Sequence, residues 1–321
     1  MLLYVARRLV WSAVVLLLVT AITFAIFFLL PPGDPALRFA GKQPSTELLT
    51  LIRHNLGLDR PWYSQYLKFV KAIVFGDKYG WPGLGYSYDS SVSIRDKIIE
   101  KTPRTLSLIG GAAALWLLMG VAVGVVSAVK RRTFVDRLAM SFALFGISAP
   151  VFWLGLMALF LFWYKLDITA GTGYVDFTKS PVEWASHLIL PWTVLALLFA
   201  ANYARMVRGN LLDTLGEDYI RTARAKGLSE RRVIFAHGLR ASLAPIVTMF
   251  GLDVALLVGG AVITESVFNI DGLGFMAIDS VFRSDLPATL GVVLVGTFAV
   301  VLMNLIVDIA YAFLDPRVRY S

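Results

Sequence analysis

Residues 9–30 read LVWSAVVLLLVTAITFAIFFLL, an apolar run without a charged side chain. A helix needs about 20 predominantly apolar residues to cross the roughly 30 Å hydrocarbon core of a bilayer, so this run is long enough to span it. The Pro-Pro-Gly-Asp-Pro sequence at 31–35 is typical of an abrupt helix end. The run is too long for the core of a signal peptide and lacks a clean small-residue cleavage site before the turn. Residues 1–30 are therefore predicted to form a retained transmembrane anchor helix.

Five further apolar runs follow the first, and the composition of the whole chain agrees with them. Of the 321 residues, 57% are hydrophobic and 16% charged, against about 45–50% and about 25% in an average soluble domain. A soluble fold could not bury so much apolar surface. The fold class is therefore predicted to be an all-α integral membrane protein with six transmembrane helices. The five later runs are residues 106–129, 138–164, 187–204, 243–263 and 288–314.

The formal charge of +8 does not indicate a nucleic-acid-binding protein, because the basic residues form no stripe or patch studded with aromatic side chains. They lie mainly between the apolar runs. The absence of cysteine excludes disulfides and thiolate metal sites. The three histidines fall in different segments, so no metal site is expected.

The distribution of Lys and Arg orients the chain, since basic residues in short flanks stay on the cytoplasmic side. With the N-terminus inside, the cytoplasmic set comprises Arg7, Arg8, the cluster at 130–137, eight residues within 205–240, Arg317 and Arg319. The short outer loops hold only Lys165, Lys179 and Arg283. Both termini are therefore predicted to be cytoplasmic.

The first outer segment, residues 31–103, is the one sizeable region predicted to lie outside the membrane. Ser45 is a helix N-cap residue before an apolar pattern that ends near Gly57, and a second helical pattern begins after Pro61. Residues 76–93 are rich in Gly, Tyr, Ser and Asp and are predicted to be a loop. The segment is thus a helical extracytoplasmic insertion, followed by a core with the five later apolar runs at 104–314 and a cytoplasmic tail at 315–321.

The most informative cytoplasmic segment, within residues 215–235, begins LGEDYIRTARAKGLSERR at 215–232. Acidic residues begin a short helix, as the helix dipole favours, and Lys226 lies at its end. Gly227 is placed to cap this helix and Ser229 to begin the next. The pattern predicts a helix-turn-helix at the inner membrane surface, kept slim by Ala223, Ala225 and Gly227.

This segment resembles the cytoplasmic loop of bacterial ABC importer permeases, which has Glu-Ala-Ala, three residues and then Gly. Arg221, Thr222 and Ala223 occupy the leading positions and Gly227 the last, and 218–228 is similar to the form in dipeptide and oligopeptide (peptide/nickel) permeases. The stretch at 78–84 is longer than that family leads one to expect. Four other blocks are similar to that family: LPPGDP at 30–35, LGLDRP at 56–61, GISAPVFWLG at 146–155 and GGAVITE at 259–265.

The resemblance implies a non-catalytic permease subunit of a bacterial inner-membrane importer. Its expected partners are a second homologous permease, two ATP-binding subunits, an extracytoplasmic substrate-binding protein, a peptide substrate and the lipid bilayer. ATP and Mg²⁺ would be held by partner subunits, with no cofactor on this chain, which has no Gly-x-x-x-x-Gly-Lys-Ser/Thr phosphate loop. The residues implied to couple to the ATPase are Asp218, Tyr219, Arg221, Thr222, Ala223, Arg224, Ala225, Lys226, Gly227 and Leu228.

Two acidic residues lie inside apolar runs. A carboxylate inside a span costs about 2.5–3.5 kcal/mol on insertion scales, so it normally faces protein or water. Asp253 either lies on the translocation path, where it could meet a peptide amine, or is a structural hydrogen-bond partner, for instance of Asn304. Asp308 is near the cytoplasmic end and is expected to reach the interface or an arginine.

Three alternatives to a peptide permease stay open at this point. Relatives of peptide permeases carry nickel chelates or glycans, and the sequence does not decide between cargoes. A self-powered secondary transporter is disfavoured, because inverted repeats are absent and only Asp253 is deep among the ionisable residues. A membrane enzyme is disfavoured because neither a Gly-x-Ser-x-Gly nor a His-Glu-x-x-His motif occurs.

Overall fold

The computed structural model describes residues 2–30, 34–40, 45–258 and 261–314. The N-terminal part of the chain contains α1 (Leu2–Phe24, continued by a π-helical turn Ala25–Leu29), α2 (Pro35–Phe39), α3 (Thr46–Leu56), α4 (Trp62–Phe75), β1 (Tyr86–Ser87) and β2 (Val92–Ser93). The remainder contains α5 (Ile94–Val129), α6 (Phe134–Ser148), α7 (Val151–Ala158, continued by a π-helical Leu159–Lys165), α8 (Pro181–Leu215), α9 (Asp218–Ala225), α10 (Glu230–Arg232, continued by a π-helical Val233–Leu239), α11 (Arg240–Ser242), α12 (Ala244–Val258), α13 (Val262–Val267), α14 (Leu273–Arg283) and α15 (Leu286–Leu314).

Four described helices are long and apolar enough to cross a membrane unbroken: Val5–Leu29, Ile94–Val129, Pro181–Leu215 and Leu286–Ile309. Two bent helix pairs bring the number to six if each pair is one span, as the sequence predicts. The pairs are Phe134–Gly146 with Val151–Lys165, and Glu230–Ser242 with Pro245–Val258. The structure is thus the predicted all-α membrane fold.

The third and fifth spans differ from the continuous helices expected at 138–164 and 243–263. The third bends by 101° where Ala149 has an extended backbone before Pro150. Proline disfavours the helical conformation of the preceding residue, which explains the break. The fifth bends by 51° just before Pro245, and α12 ends at Val258. The hydropathy of a sequence shows how long an apolar run is, but it does not show where the helix within that run bends.

The second and fourth spans are longer than their apolar runs. Helix α5 begins at Ile94 and includes Pro103, so the boundary expected between residues 103 and 104 falls inside one helix. Helix α8 extends from Pro181 to Leu215. It begins at Pro181 because the hydroxyl of the preceding Ser180 caps the helix by accepting a hydrogen bond from the Glu183 amide. The apolar run locates the membrane part of each helix, while capping chemistry determines where the helix begins.

The outer segment contains both helices expected from its sequence. The Ser45 side chain accepts a hydrogen bond from the Leu48 amide at 3.1 Å, and Gly57 ends α3 with a left-handed φ of 70°. The expected loop at 76–93 also holds an antiparallel hairpin, in which Tyr86 pairs with Ser93. Each strand has two residues, which is too short for the sequence to show the alternation of polar and apolar residues that is typical of a strand. Residues 31–33, 41–44, 259–260 and 315–321, including parts of the LPPGDP and GGAVITE blocks and the predicted tail, lie outside the described residues.

The largest hydrophobic core lies between α5 and α8. Trp116 and Tyr203 are completely buried there. A Cβ on Gly120 would collide with Tyr203, and one on Gly124 would lie 2.7 Å from the Ala204 carbonyl oxygen. These two glycines therefore let the helix backbones approach closely.

A buried carboxylate anchors the loop between α13 and α14 to α5. Glu265 accepts hydrogen bonds from the Thr105 hydroxyl at 2.8 Å and from the Phe275 amide at 2.7 Å. The same hydroxyl accepts a bond from the Leu273 amide at 2.8 Å. Burial raises the pKa of Glu265, although these donors oppose the shift. At the other end of the molecule Asp308 pairs with Arg8 at 3.0 Å, as the sequence suggested.

Candidate coupling and translocation sites

Helix α9 forms the first half of the predicted helix-turn-helix. The amide of Gly227 donates to the Arg224 carbonyl at 2.9 Å and that of Leu228 to the Ala223 carbonyl at 3.4 Å. This pair of bonds is a Schellman motif, which requires the left-handed φ of 79° found at Gly227. The expected end of the helix is therefore present, with Ser229 extended before α10 but without a side-chain cap bond.

The inner face of α9 packs against the chain itself. Ile220 and Ala223 are buried in a small cluster with Val233 of the following π-helical segment, and Leu215 and Leu228 pack around it. Ala223 is therefore small because Val233 lies next to it. Ala223 thus lies on the buried side of α9, and its role in coupling stays a prediction.

The outer face of α9 is open in this chain and carries most of the expected coupling residues. Tyr219 is 48% exposed, and Ala225 lies on the same open side of the helix. The exposed positions are Asp218, Tyr219, Arg221, Thr222, Arg224, Ala225, Lys226 and Gly227. The free surface thus combines one aromatic ring with small and basic side chains.

Two of its basic residues are engaged within the loop. Arg224 Nε donates to Glu230 Oε1 at 2.7 Å and so joins α9 to α10. Arg221 pairs with Asp218 at 3.3 Å one turn away. Exposed ion pairs are typically worth about 0.2–1 kcal/mol, so these bonds shape the loop only weakly.

An ion pair between Asp136 of α6 and Arg208 of α8 was not anticipated from the sequence. The Arg208 guanidinium binds Asp136 at both carboxylate oxygens, at 2.8 and 2.9 Å, and Asp136 is almost completely buried. The Ser127 hydroxyl and the Arg132 amide donate to the same carboxylate. The Thr133-x-x-Asp136 capping pattern was the available signal, but it does not name a partner 72 residues away.

Asp253 on α12 faces α8. The Tyr203 hydroxyl donates to its Oδ2 atom at 2.7 Å. The suggested partner Asn304 does not take this role, and its buried Oδ1 has no hydrogen bond among the described residues. Asp253 also borders a groove of about 380 Å³, together with Phe199, Asn202, Arg205, Met206 and Met249.

Among the described residues, no three or more His, Asp or Glu side chains are grouped so that they could hold a metal ion. Helix α8 carries Tyr203 and Arg208 and continues to Leu215, and two residues separate it from α9, which begins at Asp218. The groove and the cytoplasmic loop are thus joined by one helix.

Two family models together match most of this chain. Residues 120–320 match the binding-protein-dependent transport system inner membrane component, and residues 1–109 match the N-terminal part of the membrane component of such systems. Both α8 and the cytoplasmic helix-turn-helix fall within the first match.

Relatives of known type are similar along the whole chain. The glutathione transport system permease protein of Escherichia coli (strain K12) is 38% identical over 321 residues, covering 100% of both chains. A protein of Brucella abortus (strain 2308), provisionally named a peptide transport system permease protein, is 39% identical over 317 residues, covering 99% of both.

The fold also matches a solved transporter, the inward-facing methionine ABC transporter MetNI. The TM-score is 0.55 at 19% identity, and the match covers 69% of this chain and 97% of that chain. The chain belongs to the family of binding-protein-dependent transport system inner membrane components, as a non-catalytic permease subunit of an ABC importer that works with ATPase, substrate-binding and second permease partners.

Proposed function

We propose that this permease carries peptides. The observation that supports this cargo is full-length similarity to permeases named for glutathione and, provisionally, for peptide transport. Glutathione is itself a short peptide, so both names describe one chemical class. No observation favours a nickel chelate or a glycan over a peptide.

The proposed complex contains this chain, a second homologous permease, two ATP-binding subunits and an extracytoplasmic binding protein. ATP and Mg²⁺ are held by the ATP-binding subunits, and the open face of α9 docks on one of them. The expected coupling role of this segment is supported by the exposure of Asp218, Tyr219 and residues 224–227, which follow the end of α8. Closure of the ATPase pair would then move α8, which borders the groove at Asp253 on the proposed translocation path.

The direct test is purification of the chain from its native membrane, followed by reconstitution with the proteins that accompany it. We expect two ATP-binding subunits in each complex and uptake of a labelled tripeptide that requires ATP and the binding protein. Uptake driven by an ion gradient without ATP would indicate a secondary transporter instead. ATP-dependent uptake of a glycan or a nickel chelate, but no peptide, would reject the proposed cargo.

The proposed orientation places both termini in the cytoplasm. Because the chain has no cysteine, single introduced cysteines report the side of the membrane directly. We expect Lys179→Cys, in an exposed outer loop, to react with a membrane-impermeant maleimide in intact cells. This position leaves the Ser180 cap intact. The control Lys130→Cys should react only after permeabilisation, and the reverse pattern would invert the topology.

The outer segment is proposed to form part of the surface that receives the binding protein. Its loop at 78–84 is held in place, since the Gly83 amide bonds the Ala72 carbonyl at 3.0 Å and Arg95 bonds the Trp81 carbonyl at 2.7 Å. Trp81 nevertheless exposes 66% of its surface. Deleting the loop would break these bonds, so a surface substitution is the cleaner test.

We expect Trp81→Ala to weaken stimulation of ATP hydrolysis by the loaded binding protein about tenfold, as for a central aromatic residue of an interface. Lys78→Glu should have a smaller effect, because exposed ion pairs contribute about 0.2–1 kcal/mol. Stimulation would be measured against binding-protein concentration in proteoliposomes, with basal hydrolysis as the control. An unchanged curve for Trp81→Ala would exclude this loop from the interface.

A further inference from the structure

The groove between α8 and α12 contains one acidic and one basic side chain. Asp253 lies on α12 and Arg205 on α8, and both border the same volume of about 380 Å³. This volume falls in the range of about 300–1,000 Å³ that is typical of small-ligand sites. The groove is therefore large enough to hold a short molecule with two opposite charges.

The Asp253 carboxylate, which lies inside the apolar run at 243–263, indicates that the groove does not face lipid acyl chains. Charged residues within spanning helices almost always face protein or a water-filled cavity, because exposure to hydrocarbon is costly. Arg205 is exposed on the surface of this chain, and its guanidinium donates to Asn202 Oδ1 at 3.2 Å. Water or the second permease subunit must therefore solvate this face.

The Asp253 carboxylate is held in position with one oxygen available. Tyr203, which is completely buried, donates to Oδ2 at 2.7 Å. Within the described part of the chain, Oδ1 receives no hydrogen bond. A fixed carboxylate with a free oxygen is suited to accept a bond from an ammonium group, as charge-assisted bonds are the stronger class.

The remaining wall of the groove is apolar and adaptable. Phe199, Met206 and Met249 line it. Methionine is flexible and polarisable, and it is common at binding surfaces that accept varied partners. Such a wall selects little among side chains, so recognition would depend on the charged groups that all short peptides share.

We propose that this groove binds short peptides by their two free termini, with the α-ammonium group on Asp253 and the α-carboxylate on Arg205. The inference rests on the proposed peptide cargo and adds a site on the permease to it. The groove selects for free ends and is indifferent to most side chains. The hydrogen bond to Asn202 Oδ1 holds the Arg205 guanidinium at the wall of the groove, where the α-carboxylate of the peptide would meet it.

The test uses a thiol placed in the groove of the complete reconstituted complex. In a Met249→Cys complex, trialanine should protect the thiol from a methanethiosulfonate reagent. N-acetylated trialanine and trialanine amide should each require about tenfold more peptide for half-protection, since each has lost one charge-assisted bond. The binding protein is omitted, so its own selectivity does not enter.

Second substitutions assign each charge. Asp253→Asn retains an oxygen for the Tyr203 bond and should abolish the discrimination against N-acetylated trialanine alone. Arg205→Gln should abolish the discrimination against the amide alone. Asp167→Asn and Arg131→Gln, two exposed residues outside the groove, should change neither ratio. Proteolysis patterns and retention of the ATP-binding subunits verify that each variant is folded.

Equal protection by all three peptides, or none by any, would overturn the inference. The same would follow if both charge variants lost protection by every peptide equally, because that is the result of a structural role. Uptake of trialanine by the complete wild-type system is measured in parallel. Uptake without selective protection rejects this site alone, whereas absence of ATP-dependent peptide uptake rejects the peptide cargo itself.

Discussion

Ala225→Trp is expected to release most of the bound ATP-binding subunit while leaving the permease folded. Ala225 lies on the open face of α9, so a tryptophan there projects into the space that a docked partner would occupy. The helix itself tolerates the change, because tryptophan costs less than about 0.7 kcal/mol of helix propensity relative to alanine. The measurement is the amount of ATP-binding subunit that copurifies with the tagged permease.

The matched variant is Ala223→Trp, two residues away on the buried side. Its side chain would have to enter the cluster of Ile220 and Val233, and overpacking of this kind costs about 1–3 kcal/mol or more. We expect Ala223→Trp to expose the loop to proteolysis before any partner is present, whereas Ala225→Trp should remain resistant. The two variants therefore separate a docking defect from a folding defect.

Gly227→Val tests the turn without adding a collision. A Cβ at Gly227 meets no atom within 4 Å, so its effect comes from the left-handed backbone, which costs a residue other than glycine about 1–2 kcal/mol. We expect partial loss of ATPase binding, and a smaller loss for Arg224→Ala.

Full ATPase association and substrate-stimulated uptake with Ala225→Trp would show that this loop does not transmit the ATP cycle.

Features determined by neighbouring residues could be predicted from the sequence. Ser45 and Gly57 bound α3, and Gly227 ends the helix of the cytoplasmic loop, because capping depends on a few adjacent backbone groups. The six apolar runs were visible for a similar reason, since each needs only its own length and composition. These features established the fold class and located the loop.

Features determined by distant residues could not be predicted. Which side of α9 is buried depends on Val233 in the next segment, so the local sequence does not indicate that Ala223 is buried. The partner of Asp253 is Tyr203, 50 residues away on another helix, and not Asn304. Hydropathy and spacing carry no information about which faces of two helices meet.

The largest loss of stability is expected from Arg208→Ala. This change leaves the Asp136 carboxylate buried without its bidentate partner, and breaking a buried pair on one side typically costs about 3–5 kcal/mol. The Ser127 and Arg132 donors remain but supply no charge. We expect a large fall in the thermal unfolding temperature of the detergent-purified permease.

Arg283→Ala is the matched control, since it breaks an ion pair with Asp279 whose two side chains are both substantially exposed. Its effect should be about 1 kcal/mol or less. Arg208→Lys should be intermediate, because lysine keeps the charge but lacks the fork that binds both carboxylate oxygens. If Arg208→Ala lowered the unfolding temperature no more than Arg283→Ala, the buried pair would not stabilise the fold.

The position of the Arg208–Asp136 pair also predicts a functional effect of substituting Arg208. Arg208 lies on α8 between Tyr203, which holds Asp253, and Leu215, which packs against the cluster beneath α9. Movement of α9 would reach the groove through this part of α8, and Asp136 fixes that part to the start of α6. We therefore expect folded Arg208→Lys complexes, prepared at low temperature, to retain their ATP-binding subunits but to hydrolyse more ATP per peptide transported. Unchanged coupling in Arg208→Lys would limit the pair to a structural role.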